Sequence, residues 1–204
     1  MDRYLASRVL TIAAMIVSLY CISAPARAAE GAARTSEIIA RCESCHGPRG
    51  DSAFPTTPRL NGQQANYLAS RFQSFRDLTR QDPHATQFMW EEKSRVADTA
   101  ILSIAQYFSG QAATQPKNSG SSAALGKKIY EKAAVDAPSC QSCHGEKGEG
   151  KGAVPRLAGQ HAKYLVTQMW VFNFMLRTSE TMHPNVKNMT EQQISAVASY
   201  LAGD

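Results

Sequence analysis

Two copies of Cys-x-x-Cys-His occur in this chain, Cys42-Glu43-Ser44-Cys45-His46 and Cys140-Gln141-Ser142-Cys143-His144. This pattern constrains the fold most, because it is the attachment site of a c-type haem. The two thiols lie about one helical turn apart, so each can add to one vinyl group of the porphyrin. The histidine after the second thiol then lies under the ring and can bind iron from the proximal side. Two such sites imply two covalently bound haem c groups, with Cys42, Cys45, Cys140 and Cys143 holding the porphyrins and His46 and His144 binding the irons.

Other uses of paired cysteines fit less well. A structural zinc site wants its cysteine pairs about 15–20 residues apart, whereas Cys45 and Cys140 are far apart in the chain. A thioredoxin-like dithiol needs a strand–helix–strand setting, and no β-branched run flanks either motif.

The N-terminus reads as a secretory signal peptide over residues 1–28. Arg3 and Arg8 form a positive start, an apolar run follows from Val9 to Ile22, and Ala26-Arg27-Ala28 is an A-x-A cleavage site. The alternative, an uncleaved anchor, asks for a longer run than this one. With the signal removed, every remaining cysteine belongs to a haem motif. No later stretch is long enough to span a bilayer, so the mature chain is expected in the periplasm. The first 28 residues hold three Arg and one Asp, leaving 19 Lys+Arg against 16 Asp+Glu. Haem propionates bring the holoprotein near neutrality, and nothing here points to nucleic acid.

The rest of the chain is an internal repeat. Pro58-Arg59-Leu60-Asn61-Gly62-Gln63-Gln64-Ala65-Asn66-Tyr67-Leu68 matches Pro155-Arg156-Leu157-Ala158-Gly159-Gln160-His161-Ala162-Lys163-Tyr164-Leu165. Ser103–Gly110 likewise matches Ala196–Gly203. The repeat predicts an N-terminal domain over 29–110, a Ser/Gly-rich linker over 111–122 and a C-terminal domain over 123–204. Each half reads as all-α. Helical periodicity predicts helices from about Ser36, over Gln63–Leu78 and over Asp98–Phe108, with Ile101, Leu102, Ile104, Ala105 and Phe108 inward. The second half repeats these over Leu125–Ala134, Gln160–Leu176 and Glu191–Leu201, with Thr190 as N-cap of the last.

A methionine thioether on the distal side of a haem gives a six-coordinate iron suited to electron transfer. Met89 lies 18 residues before Tyr107, and Met182 lies 18 before Tyr200. That shared register nominates Met89 and Met182 as iron ligands, with core filling as the other reading. Met189, Met169 and Met175 read as core. His84, His161 and His183 have no counterparts in the opposite half and read as surface histidines rather than bis-histidine ligands. Arg59 and Arg156, each just after a haem motif, are candidates to hold a propionate with help from Tyr67 and Tyr164. The competing reading is a solvated surface arginine.

These features together resemble the cytochrome c4 family of di-haem periplasmic cytochromes. The resemblance implies two tandem cytochrome-c-like domains related by a pseudo-twofold axis, with haems close enough for fast internal transfer. It also implies electron delivery from a quinol-oxidising complex to a terminal oxidase, often of the cbb3 type. The chain departs from the family in its polar, bulky segment Gln87–Glu92 and in four extra first-half residues between the Tyr-Leu pair and the final Tyr. The expected function is a soluble electron carrier between membrane respiratory complexes, with no substrate chemistry of its own. The alternatives are an electron-transfer subunit of a dehydrogenase or oxidase, and a di-haem peroxidase or thiosulfate-oxidising enzyme.

Overall fold

The computed structural model describes residues 31, 33–83, 85–93, 95–117, 120–132 and 138–203. The expected signal peptide and His84 lie outside them. By internal contacts the chain divides into a unit ending at Ala40 and a unit from Arg41 to Asp204. The described part of the first unit is helical over residues 33–40. The second unit contains both haem motifs and both copies of the repeat. No strand occurs among the described residues, only the isolated bridges Lys151–Val154 and Gln160–Ala202.

In the second unit the helical stretch over residues 41–46 is α1. It is followed by α2 (Ala65–Arg76), a π-helical turn (Ala85–Met89), α3 (Trp90–Lys93) and α4 (Asp98–Ser109). The second copy comprises α5 (Gly120–Glu131), α6 (Cys140–His144), α7 (Ala162–Asn173), α8 (Met182–Val186) and α9 (Glu191–Leu201). α9 has the expected bounds. Thr190 accepts from the Gln193 backbone while the Gln193 side chain accepts from Thr190 N–H, a capping box that satisfies two otherwise orphaned donors.

Within the second copy α9 packs on α5 and α7. Tyr130, Leu165, Val197, Ala198 and Leu201 form the buried centre, with Met169 and Met189 packed against it as expected. In the first copy α2 packs on α4, and Phe75, Ile101, Ile104, Ala105 and Phe108 are buried. Leu102 was expected inward but is 51% exposed, because it falls between Ile101 and Ile104 on the outer side of the α4 stripe. Met175 was expected in the core of a longer α7. That helix stops at Asn173, and Met175 stands 59% exposed with φ +58°. α5 begins at Gly120, inside the expected linker.

The segment before α5 is tied to both copies. Asn61 Nδ2 donates to Ala112 O at 2.8 Å and to Thr114 Oγ1 at 3.0 Å. Lys117 N–H donates to Ala202 O at 2.8 Å.

The repeated stretch makes the same backbone bonds twice. Leu60 N–H meets Gly50 O at 2.8 Å, and Leu157 N–H meets Gly148 O at 2.7 Å. Gly62 N–H meets Phe108 O at 2.9 Å, and Gly159 N–H meets Leu201 O at 2.8 Å. These bonds fold each post-motif loop back toward its own last helix.

Candidate haem sites

Each haem motif is helical, so its two thiols sit three residues apart on one helical face. All four cysteines are free thiols; Cys45 and Cys143 are exposed, Cys42 and Cys140 half-buried. Burial, with Glu92 as second cause, pushes the Cys42 thiol up to about 11. Burial also raises Cys140. A dithiol switch works through a stabilised thiolate, and burial works against one at Cys42 and Cys140.

His46 and His144 are buried alike. The His46 Nδ1 lies 2.8 Å from Pro58 O, and the His144 Nδ1 lies 3.0 Å from Pro155 O. A carbonyl only accepts, so in each ring Nδ1 carries the proton and Nε2 keeps its lone pair. Burial lowers both imidazoles below the ordinary histidine value, against a smaller opposing pull from the proline carbonyl. A neutral ring with Nε2 free and its outer nitrogen anchored is what a proximal iron ligand requires. The donor set of two thiols and one such imidazole therefore fits a c-type haem at each motif.

Met89 ends the π-helical turn and Met182 opens α8; both are half-buried. Ser179 Oγ accepts from Met182 N–H at 3.0 Å. On the first-copy side, Trp90 Nε1 donates to Arg80 O at 3.2 Å.

The arginines expected to hold propionates have other partners. Arg59 donates from Nε to Asp51 at 3.0 Å and from a terminal nitrogen to Gly159 O at 2.8 Å. Arg156 donates from Nε to Ala158 O at 3.0 Å. Their backbones are engaged across the two copies. Gln160 accepts from Arg59 N–H at 2.9 Å and donates to Arg59 O at 3.0 Å. Gln63 accepts from Arg156 N–H at 2.7 Å and donates to Arg156 O at 2.9 Å. The two glutamines thus exchange the same pair of bonds across a pseudo-twofold.

Two residues that sequence reasoning passed over, Arg80 and Arg177, are buried between the copies beside the half-buried Tyr67 and Tyr164. Arg80 and Arg177 hold matching places 12 residues after Leu68 and Leu165, so extending the repeat alignment beyond the Tyr-Leu pair finds them. Each guanidinium lies over the phenylalanine of its own copy, Phe75 at 4.8 Å and Phe172 at 4.6 Å. Each also reaches the tyrosine of the other copy. Arg177 donates to Tyr67 Oη at 3.2 Å, and the positive charge of Arg80 opposes the effect of burial on Tyr164. Both donate to Gln168 Oε1, Arg80 at 3.2 Å. Burial raises Tyr164, while for Tyr67 the opposing pull of Arg177, Arg80 and Arg71 outweighs burial and lowers it. Asp82 pairs with Arg80 Nε at 2.7 Å. The cluster thus buries more guanidinium than carboxylate, and Arg177 Nε has no protein acceptor among the described residues. Such a site suits anionic groups, and haem propionates are of that kind.

His161 was expected at the surface but is 2% exposed. Its Nε2 lies 2.9 Å from Ser52 O in the first copy, a contact supplied by the packing of the copies and invisible in the local pattern. His183 is half-buried, with Nδ1 2.9 Å from Phe172 O. No helix among the described residues is long and apolar enough to cross a membrane.

Residues 123–203 match the family described as Cytochrome c. The chain is 32% identical to cytochrome c4 of Azotobacter vinelandii, over 89% of this chain and 93% of the relative. The chain belongs to the cytochrome c4 family. A solved cytochrome c4 of Acidithiobacillus ferrooxidans superposes with a TM-score of 0.74 at 33% identity, covering 79% of this chain and 98% of that one. As a cytochrome c4, the protein is a di-haem electron carrier whose copies are two tandem cytochrome-c-like domains, each built around one covalent haem c. The chain is also 30% identical to the thiosulfate dehydrogenase electron acceptor of Thiomonas intermedia, over 80% of this chain and 78% of the relative.

Proposed function

We propose that this cytochrome c4 is a periplasmic shuttle that takes electrons from a quinol-oxidising complex and delivers them to a terminal oxidase, without transforming a substrate. The observation that carries this reading is the matched pair of anchored imidazoles, His46 and His144, each with Nε2 kept for iron. Bound haem c supplies a reversible one-electron centre in each domain. In the proposal the chain completes each centre on the distal side with Met89 and Met182. Full coordination closes the iron to peroxide or thiosulfate and keeps its geometry nearly constant between oxidation states. Arg80 and Arg177, with Tyr67 and Tyr164, balance propionate charge in the buried cluster between the domains. Arg59 and Arg156 are a second pair of propionate contacts at the loops after the motifs. The domain limits 29–110 and 123–204, joined by 111–122, are part of this reading, as is cleavage after Ala28.

A second reading follows from the thiosulfate dehydrogenase electron acceptor among the relatives. On that reading the donor is a dehydrogenase and the chain is its acceptor subunit.

The test mixes the reduced holoprotein with membranes containing a terminal oxidase. Separately, the oxidised protein is given thiosulfate alone, and thiosulfate together with a thiosulfate dehydrogenase. Fast reoxidation by membranes and no reaction with thiosulfate alone are expected. Reduction only when the dehydrogenase is present favours the second reading. Catalytic turnover of thiosulfate by the purified protein overturns both.

A further inference from the structure

Helices α2 and α7 hold the same place in the two copies and keep Tyr67/Tyr164, Leu68/Leu165 and Phe75/Phe172 in common. Their outer stripes differ. On α2 the stripe is Asn66, Ser70, Gln73 and, at the C-cap, Asp77, all polar. On α7 it is Lys163, Thr167, Trp170 and, at the C-cap, Phe174. Steps of four, three and four residues put each set on one side of its helix. Gln73 Nε2 donates to Asp77 Oδ1 at 2.8 Å and Arg76 pairs with Asp98, so the end of α2 is satisfied within its own domain. At the same places on α7 the Trp170 and Phe174 rings stack, with centroids 5.5 Å apart and planes 16° from parallel.

The aromatic stack runs on into the loop. Phe174, Met175 and Leu176 are 65%, 59% and 50% exposed, where the first copy has Asp77, Leu78 and Thr79. The backbone beneath them is fixed. Phe174 N–H donates to Trp170 O at 2.9 Å, Met175 N–H to Phe172 O at 3.2 Å and Arg177 N–H to Val171 O at 3.0 Å. Apolar side chains held outward on a fixed backbone lose little freedom when they are covered. The inner side of α7 packs on α9 through Leu165, with Val166 and Met169 against the same core. A helix that is apolar on its outer side as well is one that something covers.

Charge narrows what that is. Lys163 and Lys187 are exposed, and among the described residues neither pairs with a carboxylate. Lys163 opens the stripe. Lys187 O accepts from Asn173 Nδ2 at 3.2 Å, which places this lysine beside Phe174. From Lys163 to Lys187 the chain holds three cations, Lys163, Arg177 and Lys187, against one carboxylate, Glu180; the matching stretch from Asn66 to Ser94 holds four of each. The surface also adjoins the segment that carries Met182. Asn173 Nδ2 donates to Val186 O at 2.9 Å, and His183 Nδ1 lies 2.9 Å from Phe172 O.

We propose that the surface formed by Trp170, Phe174, Met175 and Leu176 is the docking site of a redox partner protein that offers an apolar pocket rimmed by carboxylates. Aromatic residues and methionine are favoured at the centre of such an interface, and unpaired lysines at its edge steer an acidic partner into register. Its small extent suits a brief electron-transfer encounter. The first domain, built on the same helix, lacks this surface. The proposal rests on the shuttle reading, in which partners reach the haems by transient docking.

The experiment follows oxidation of the reduced holoprotein by membranes containing a terminal oxidase over a range of cytochrome concentrations. Trp170→Gln combined with Phe174→Asp gives α7 the residues that α2 carries at the same places. Phe174→Asp alone, at an exposed position, takes over if the pair does not fold. KM for the cytochrome is expected to rise about tenfold or more, as on loss of an interface anchor. Both haem midpoints and the rate of reduction by a small mediator are expected to stay unchanged. Lys163→Glu combined with Lys187→Glu is expected to raise KM and to flatten its dependence on salt. Gln73→Trp combined with Asp77→Phe on the first domain is expected to leave KM in place. An unchanged KM in the folded Trp170 and Phe174 variants overturns the proposal. Binding of the wild type to protein-free vesicles of anionic lipid, or its dimerisation, overturns it too if the same variants abolish it, since lipid or a second copy then takes the surface. The wild-type rate tests the shuttle reading, and the ratio of variant to wild type tests the surface. If the membranes leave the wild type reduced, the ratio is read in the reduction of the oxidised protein by a thiosulfate dehydrogenase with thiosulfate. Absence of transfer in both assays overturns the proposal as well.

Discussion

Single residues show where this chain is under local strain and where its chemistry is concentrated. Leu78 and Met175 hold matching places after α2 and α7, with φ +56° and +58°. The left-handed region costs a residue with a Cβ roughly 1–2 kcal/mol, and glycine enters it freely. Both side chains are exposed, so their loss removes little burial. Leu78→Gly and Met175→Gly are each expected to stabilise the holoprotein by about 0.5–1 kcal/mol, after allowing for the greater unfolded-state freedom of glycine. Thermal unfolding of the two variants measures this. At the irons, Met182→His is expected to lower one midpoint only and to weaken the far-red band. Met189→Leu is expected to leave both, since Met189 packs against the α5–α7–α9 core and leucine has similar volume. If Met189→Leu removes the band and Met182→His does not, the register that nominates Met182 is wrong.

Elements in this fold are placed by close approach as much as by apolar pattern. Gly126 in α5 lies against the backbone of α9, where an added Cβ would overlap Ala196 O. Gly126→Ala therefore has to push α5 off α9, and overpacking of this kind costs roughly 1–3 kcal/mol. A lowered denaturation midpoint without loss of the thioether-bound haems is the expected result. α9 itself was fully legible in the sequence, because Thr190, Gln193 and the stripe Ile194, Val197, Ala198 and Leu201 are local signals. α2 and α7 were legible as helices but not in their ends. Their true limits at Arg76 and Asn173 are followed by the left-handed Leu78 and Met175, neither of which has the usual composition of a helix stop. The π-turn before Met89 was visible only as four unexplained extra residues.

At the scale of the whole molecule, the haem motifs and the repeat were readable and the pairing of the repeats was not. In the sequence the Pro-Arg-Leu-x-Gly-Gln stretch reads as a repeat whose arginines, Arg59 and Arg156, face a haem propionate. In the structure Gln63 and Gln160 spend their amides on the Arg156 and Arg59 backbones of the opposite domain. Such a bond joins residues about a hundred positions apart and leaves no periodicity to detect. His161 was misplaced for the same reason. Each bond of the exchange contributes about 1 kcal/mol, and leaving its partner unsatisfied costs about 1–3 kcal/mol. Gln63→Ala and Gln160→Ala are each expected to destabilise by that amount. The double variant is expected to lose less than the sum, because opening one side loosens the other; denaturant titration of the four proteins closes the cycle. A contact in which one patch meets its own copy is the isologous interface of a homodimer, here closed within one chain. If either domain were released, its glutamine would find in a second identical domain the same arginine backbone it now finds across the chain. The connection before α5 then does the work of concentration. It holds two mates together that would otherwise have to meet, and it frees positions that match in the repeat, such as Gln64 and His161, to diverge in a way that two copies of one chain cannot.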